Sequence, residues 1–105
     1  GKILLLEEIN EEPRAIDRML NQLEMAGKLH ATSGIIFADF HDCISKADVT
    51  FELEEILEHY AKRAKKPALK GVKIGHCSPN LAVPLGVNAI LDTRKKQFIV
   101  ESGVL

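Results

Sequence analysis

His76 is the side chain in this sequence best suited to proton transfer. It sits between Gly75 and Cys77, and two acids, Glu7 and Glu8, close the first apolar run of the chain. Histidine titrates near neutrality, and a carboxylate against one ring nitrogen fixes its tautomer and stabilises the imidazolium that forms in catalysis. His76 with Glu7 is therefore a candidate base and orienter of a hydrolase. Gly75 allows a sharp backbone turn and a close approach of substrate. Spacing alone leaves a plainer alternative open, a loop histidine and a solvated strand-end acid.

A hydrolase of this kind also needs a nucleophile. The serines are Ser33, Ser45, Ser78 and Ser102, and none lies in a G-x-S-x-G elbow. Cys77 adjoins His76, but neighbouring side chains usually point apart. A second constellation, His41, Cys43, His76 and Cys77, has the ligand types of a zinc site. Its H-x-C and H-C spacings are not those of common zinc modules, and a free cysteine serves equally as a small buried hydrophobe. His30 and His59 read as surface residues. No glycine-rich phosphate loop is present, and the basic run from Lys62 to Lys66 reads as a helix end.

The elements that must position these residues alternate. Ile3 to Leu6 is a continuous apolar run, as in a strand of a parallel sheet covered on both faces. Pro13 suits a first helical turn. Ile16, Met19, Leu20, Leu23 and Ala26 follow at helical spacing, and Gly27 is a natural stop. The pattern predicts a helix over 13–26. Gly34 to Phe37 is a second strand, and the polar stretch Asp39 to Asp48 a loop. A second helix is predicted from about Thr50 to Lys65, with Phe51, Ile56, Leu57, Tyr60 and Ala64 as its apolar face. Its acids lie early and its bases late, complementing the helix dipole, and Pro67 ends it. Leu69 to Ile74 reads as a third, half-exposed strand. Gly75 to Pro84 is a loop, and Val87–Leu91 with Phe98–Val100 a hairpin.

Two strand–helix–strand crossovers make the first three strands parallel if they share a sheet. Open α/β sheets place their chemistry at the carboxyl edge. Glu7 and Glu8, then Asp39, His41 and Asp42, then Gly75, His76 and Cys77 are thereby predicted along one edge.

Composition narrows the function classes. The chain has 105 residues, a single domain's length, with 46% hydrophobic and 28% charged residues. Fourteen basic residues against fifteen acidic give a net charge of -1, so a general electrostatic case for nucleic acid is absent. Aromatics are 5% with no Trp, which disfavours a base-stacking platform. No apolar run is long enough to span a bilayer, so no membrane partner is expected. No signal-peptide pattern opens the chain, and two cysteines make no disulfide framework, so a reducing cytoplasm is expected.

Three segments together carry a resemblance: LLLEEINEEPRAIDRMLNQLEMAGKL, GIIFADFHDC and VKIGHCSPNLAVPLGVNAILD. They resemble the C-terminal domain of the LD-carboxypeptidase family of serine peptidases, which includes microcin-immunity hydrolases. The family pattern is Leu-Glu-Asp or Leu-Glu-Glu at a strand end, an Ile-Asp-Arg-x-Leu helix, then Gly-His, Pro-Asn and Pro-Leu-Gly. The resemblance implies an α/β fold, a small swivelling-type β/β/α domain with a mainly parallel sheet, two helices and a C-terminal hairpin. It implies a Ser-Glu-His triad divided between two domains, with Glu7 and His76 supplied here. A separate N-terminal domain would supply the serine and oxyanion hole, so residues 1–105 alone would be inactive. The implied substrate is a murein tetrapeptide, which loses its terminal D-alanine in cytoplasmic cell-wall recycling. No metal or cofactor is implied, and a homo-oligomer is expected. Gly75 and Asn80 are placed on the substrate side of the loop. Two residues depart from the family pattern: Cys77 stands where glycine often follows the histidine, and Arg14 where an aromatic follows the proline. The alternatives are a non-enzymatic binding or dimerisation module, and a histidine phosphocarrier using His76.

Overall fold

The computed structural model describes residues 1–44 and 52–101. The elements run β1 (Ile3–Ile9), α1 (Pro13–Met25), α2 (Lys28–Ala31), β2 (Gly34–His41), α3 (Leu53–Ala64), β3 (Ala68–Lys70), β4 (Ala89–Asp92) and β5 (Gln97–Val100). β1, β2 and β3 form one parallel sheet in that order, and β4 and β5 pair antiparallel as a hairpin.

α1 begins on Pro13, whose missing N–H costs nothing at a helix start. Gly27 follows it in the left-handed conformation, with φ of 75°. Ile16 and Leu20 are buried on one face of α1, while Met19 is 39% exposed. They meet Ile56, Leu57, Tyr60 and Ala64 of α3 over Ile35 and Phe37 of β2. Each of the isoleucine, leucine and phenylalanine side chains contributes about 1.5–3 kcal/mol when fully withdrawn from water. The Tyr60 hydroxyl lies 2.8 Å from Asp17 Oδ1 and 3.0 Å from the Asp17 carbonyl oxygen, pinning α3 to α1.

Alternation puts Ile36 on the opposite face of β2, where it too is fully buried. There Leu91 of β4 lies against Gly34: a Cβ at Gly34 would stand 2.8 Å from the Leu91 side chain. Ile3, Leu5, Val83, Phe98 and Val100 line one shallow cavity on this side. Hairpin, sheet and helices thus make three layers, the expected α/β arrangement with β2 at its centre.

Several boundaries differ from the sequence expectation. β1 continues to Ile9 and β2 to His41, so Glu7, Glu8, Asp39 and His41 lie within strands. Backbone pairing does not stop where the apolar run stops. β3 is three residues long and does not reach Ile74. Its chain leaves the sheet at Gly71, where φ is +85°, and Ile74 N–H turns back to the Val72 carbonyl at 2.8 Å. The single turn α2 was not anticipated; it buries Leu29. α3 starts at Leu53; Thr50, Phe51 and positions 45–48 of the expected 39–48 loop lie outside the described residues. The hairpin strands sit one or two residues from their expected bounds.

Candidate active site

β1 and the central strand β2 are out of simple register at one place. Leu6 pairs with Phe37 and Glu8 with Phe40, so Glu7 alone stands opposite Ala38 and Asp39. Such a bulge bends the ladder and re-aims side chains, and bulges are over-represented beside active sites. Glu7 and Asp39 are thus brought to neighbouring positions at the carboxyl edge.

The chain leaving β3 reaches the same edge. Gly71 N–H donates to the Phe37 carbonyl at 3.0 Å, and Asp39 N–H donates to the Ile74 carbonyl at 3.0 Å. Residues 71–74 therefore track along β2 after formal pairing ends. Gly75 follows with φ of +140°, a conformation that side-chain-bearing residues rarely adopt. A Cβ there would stand 2.9 Å from Asp39 Cβ and 3.1 Å from Glu7 Oε2. The packing of the two acids beneath it thus requires glycine at this position.

His76 Nδ1 lies 3.2 Å from Glu7 Oε2. The two residues are 69 apart in sequence and share one sheet edge. With Nδ1–H donated to the carboxylate, Nε2 keeps its lone pair and is available as a base. The side chains are 47% and 37% exposed, so the pair opens to solvent and can receive a group from outside. The His76 backbone N–H donates to Asp39 Oδ2 at 3.0 Å, and Gly75 N–H to Asn80 Oδ1 at 2.9 Å. Asn80 therefore braces the loop with its oxygen. Asp39 is the residue that sequence reasoning placed on the edge without giving it a role.

The other candidates fall elsewhere. Glu8 Oε1 accepts its neighbour Ile9 N–H at 3.0 Å, and the acid at the His76 ring is Glu7. His41 Nε2 lies 3.4 Å from its own neighbour Asp42. Cys43 is buried, and burial pushes its thiol upward, with Glu8, Asp39 and Glu11 adding to the effect against a backbone hydrogen bond that lowers it. Cys77 is half-buried, its Sγ 3.3 Å from the Pro79 carbonyl. Among the described residues no three His, Cys, Asp or Glu side chains converge as a metal site, so His41, Cys43, His76 and Cys77 are not assembled as ligands. His30 is exposed, and exposed His59 stands edge-on to the Tyr60 ring. Ser45 and Ser102 lie outside the described residues. Neither Ser33 nor Ser78 hydrogen-bonds to His76 in the described structure.

Residues 1–91 match the family model described as the LD-carboxypeptidase C-terminal domain. The chain is 51% identical over 105 residues, 99% of its length, to a probable murein peptide carboxypeptidase of Bacillus subtilis, covering 33% of that protein. It is 33% identical over 98 residues, 93% of its length, to the murein tetrapeptide carboxypeptidase of Pseudomonas aeruginosa, covering 32% of it. Its fold superposes with a TM-score of 0.82 on MccF in complex with glutamyl sulfamoyl guanosine, at 26% identity, over 97% of this chain and 30% of that one. The chain thus spans about a third of the length of these relatives. No helix among the described residues is long and apolar enough to cross a membrane. With the motif-bearing segments, the parallel sheet and the match over most of its length in agreement, the chain belongs to the LD-carboxypeptidase C-terminal domain family.

Proposed function

We propose that this chain supplies the base and its orienting acid to a serine LD-carboxypeptidase that removes terminal D-alanine from murein tetrapeptides. The observation that carries this reading is the 3.2 Å contact of His76 Nδ1 with Glu7, which leaves Nε2 open to an incoming hydroxyl. The relatives' names and their threefold greater length support the substrate class and a separate N-terminal domain; that domain would bear the serine and the oxyanion hole. Nε2 takes the serine proton as the hydroxyl attacks the carbonyl carbon of the scissile amide. The tetrahedral intermediate collapses as the same proton passes to the departing D-alanine nitrogen, and water then cleaves the acyl-enzyme by the same route. Glu7 holds the tautomer and faces the imidazolium while it exists. The work belongs to cytoplasmic peptidoglycan recycling, and the assembled enzyme is a homo-oligomer that uses no metal.

The test is a chimera in which this chain replaces the matching third of the Bacillus subtilis relative. D-alanine release from a murein tetrapeptide is expected. Glu7→Gln should lower kcat about 10⁴-fold, the scale seen when an orienting carboxylate is neutralised in a serine-protease triad. His76→Ala should lower it at least as far, and the 105-residue chain alone should show no turnover. Undiminished release by the His76→Ala chimera would remove the assignment.

A further inference from the structure

We propose that Asp39 is a positioning residue for His76, holding three consecutive loop residues so that the imidazole meets Glu7. The proposal rests on the reading of His76 as the base. Among the described residues, the only side-chain hydrogen bond to the His76 ring comes from Glu7, and nearly half of the side chain is exposed. Its seat must therefore be set through the backbone. Asp39 grips that backbone on both sides of Gly75. Its main-chain N–H holds the Ile74 carbonyl at 3.0 Å, and its Oδ2 accepts the His76 N–H at 3.0 Å. Between them, Gly75 packs so closely that a Cβ would collide with Asp39 Cβ. Asn80 completes the clamp by taking the Gly75 N–H. The anchor is firm because Asp39 directly follows the buried run Gly34–Ala38 of β2, where Ile35 and Ile36 have no exposure. A hydrogen bond to a carboxylate is stronger than one to a neutral acceptor, which suits a loop otherwise open to water.

The experiment reads the imidazole directly. In the 105-residue chain, ¹⁵N spectra at pH 8 should show His76 with Nδ1 protonated and Nε2 bare. Asp39→Ala should give averaged tautomers while the amide shifts of Ile35 and Ile36 stay in place. Asp39→Asn keeps a carbonyl acceptor and should restore the wild-type pattern. In the chimera, Asp39→Ala should lower kcat roughly 10–100-fold, the scale of a small misplacement of a reacting group, with KM changed less than about twofold; Asp39→Asn should recover most of it. An unchanged tautomer in Asp39→Ala would overturn the proposal. Should that variant fail to fold, averaged tautomers in a folded Asp39→Asn chain would overturn it equally. The tautomer shift appearing as expected, in a wild-type chimera that turns over no substrate, would uphold the positioning role and refute the peptidase reading.

Discussion

Replacing Gly75 by alanine probes the site at its tightest point. The backbone there has φ of +140°, and the new Cβ would stand 2.9 Å from Asp39 Cβ, 3.1 Å from Glu7 Oε2 and 3.4 Å from Asp39 Oδ2. Glu7 Oε2 is the end of a flexible side chain and can swing away. Asp39 Cβ is fixed to the central strand and cannot. Holding the native conformation would cost about 1–3 kcal/mol for the backbone alone, and the collision adds about 1–3 kcal/mol more. The loop has an escape, which is to let go of the sheet. That forfeits the His76–Asp39 and Gly75–Asn80 hydrogen bonds, worth about 1 kcal/mol each at a solvent-facing site. Release is the cheaper course, so the stability loss should stop near 2 kcal/mol, a fall of roughly 8–16 °C in Tm for a domain of this size. The core should stay folded while His76 separates from Glu7. Thermal denaturation followed by circular dichroism, with the His76 ¹⁵N spectrum as second readout, measures both. A Gly75→Ala chain that melts within a degree or two of wild type and keeps Nδ1 on Glu7 would refute the packing argument.

Tyr60 has its hydroxyl pushed up to about 12, by burial first and by the Asp17 hydrogen bond second. The native state then holds a proton that the unfolded chain releases near pH 10. The Tyr60 contribution to stability should be constant below pH 10 and fall as pH rises toward 12, a decline that denaturant melts should find missing in Tyr60→Phe. That variant should also lose about 1–2 kcal/mol near neutrality, because Asp17 is left without its partner. Cys77 should react with a thiol reagent in the native chain, while buried Cys43, its thiol held protonated, should react only on unfolding; equal rates for both would contradict the burial of Cys43. Ile35→Ala removes a fully buried side chain from the centre of β2 and should cost about 2–5 kcal/mol in chemical denaturation.

Much of this arrangement is legible in the residues. The apolar runs at Ile3–Leu6 and Gly34–Phe37, with a helical stripe between them, leave few choices but a parallel pair joined by a crossover. A second crossover through α3 sets β3 parallel to β2, and the chain leaving β3 then reaches the same edge, which places His76 near Glu7 across 69 residues. The strand ends themselves are poorly legible, because Glu7, Glu8 and Asp39 continue the backbone ladder after hydrophobicity has stopped marking it. β3 misleads for the opposite reason. Lys70 and Lys73 are interleaved with apolar neighbours, which suggests a half-exposed strand, but Gly71 takes a left-handed conformation and breaks the run. Asp39 carries no local signal at all, since what it binds is a main-chain N–H 37 residues away. Its one sequence cue is position: it is the first acid after the apolar run of β2, opposite the first acid of β1.

That position depends on the bulge. Ordinary pairing from Leu6–Phe37 onward would set Glu7 opposite Ala38 and Glu8 opposite Asp39. The observed register sets Glu8 opposite Phe40 instead, giving Glu7 two partners and drawing Asp39 level with it. Because side chains alternate with a period of two, a one-residue change of register redirects every side chain beyond it. The extra residue in β2 therefore separates two requirements that a regular ladder would set against each other. Up to Phe37 the alternation serves the core, with Ile35 and Phe37 toward the helices and Ile36 toward the hairpin. Beyond Phe37 it serves the edge, where one acid must meet the His76 ring and another its backbone. Gly75 completes the fit by having no side chain where those acids converge. The pairing of a folding register with a site register inside one strand explains why the densest core residues and the candidate functional acid lie so close together in sequence.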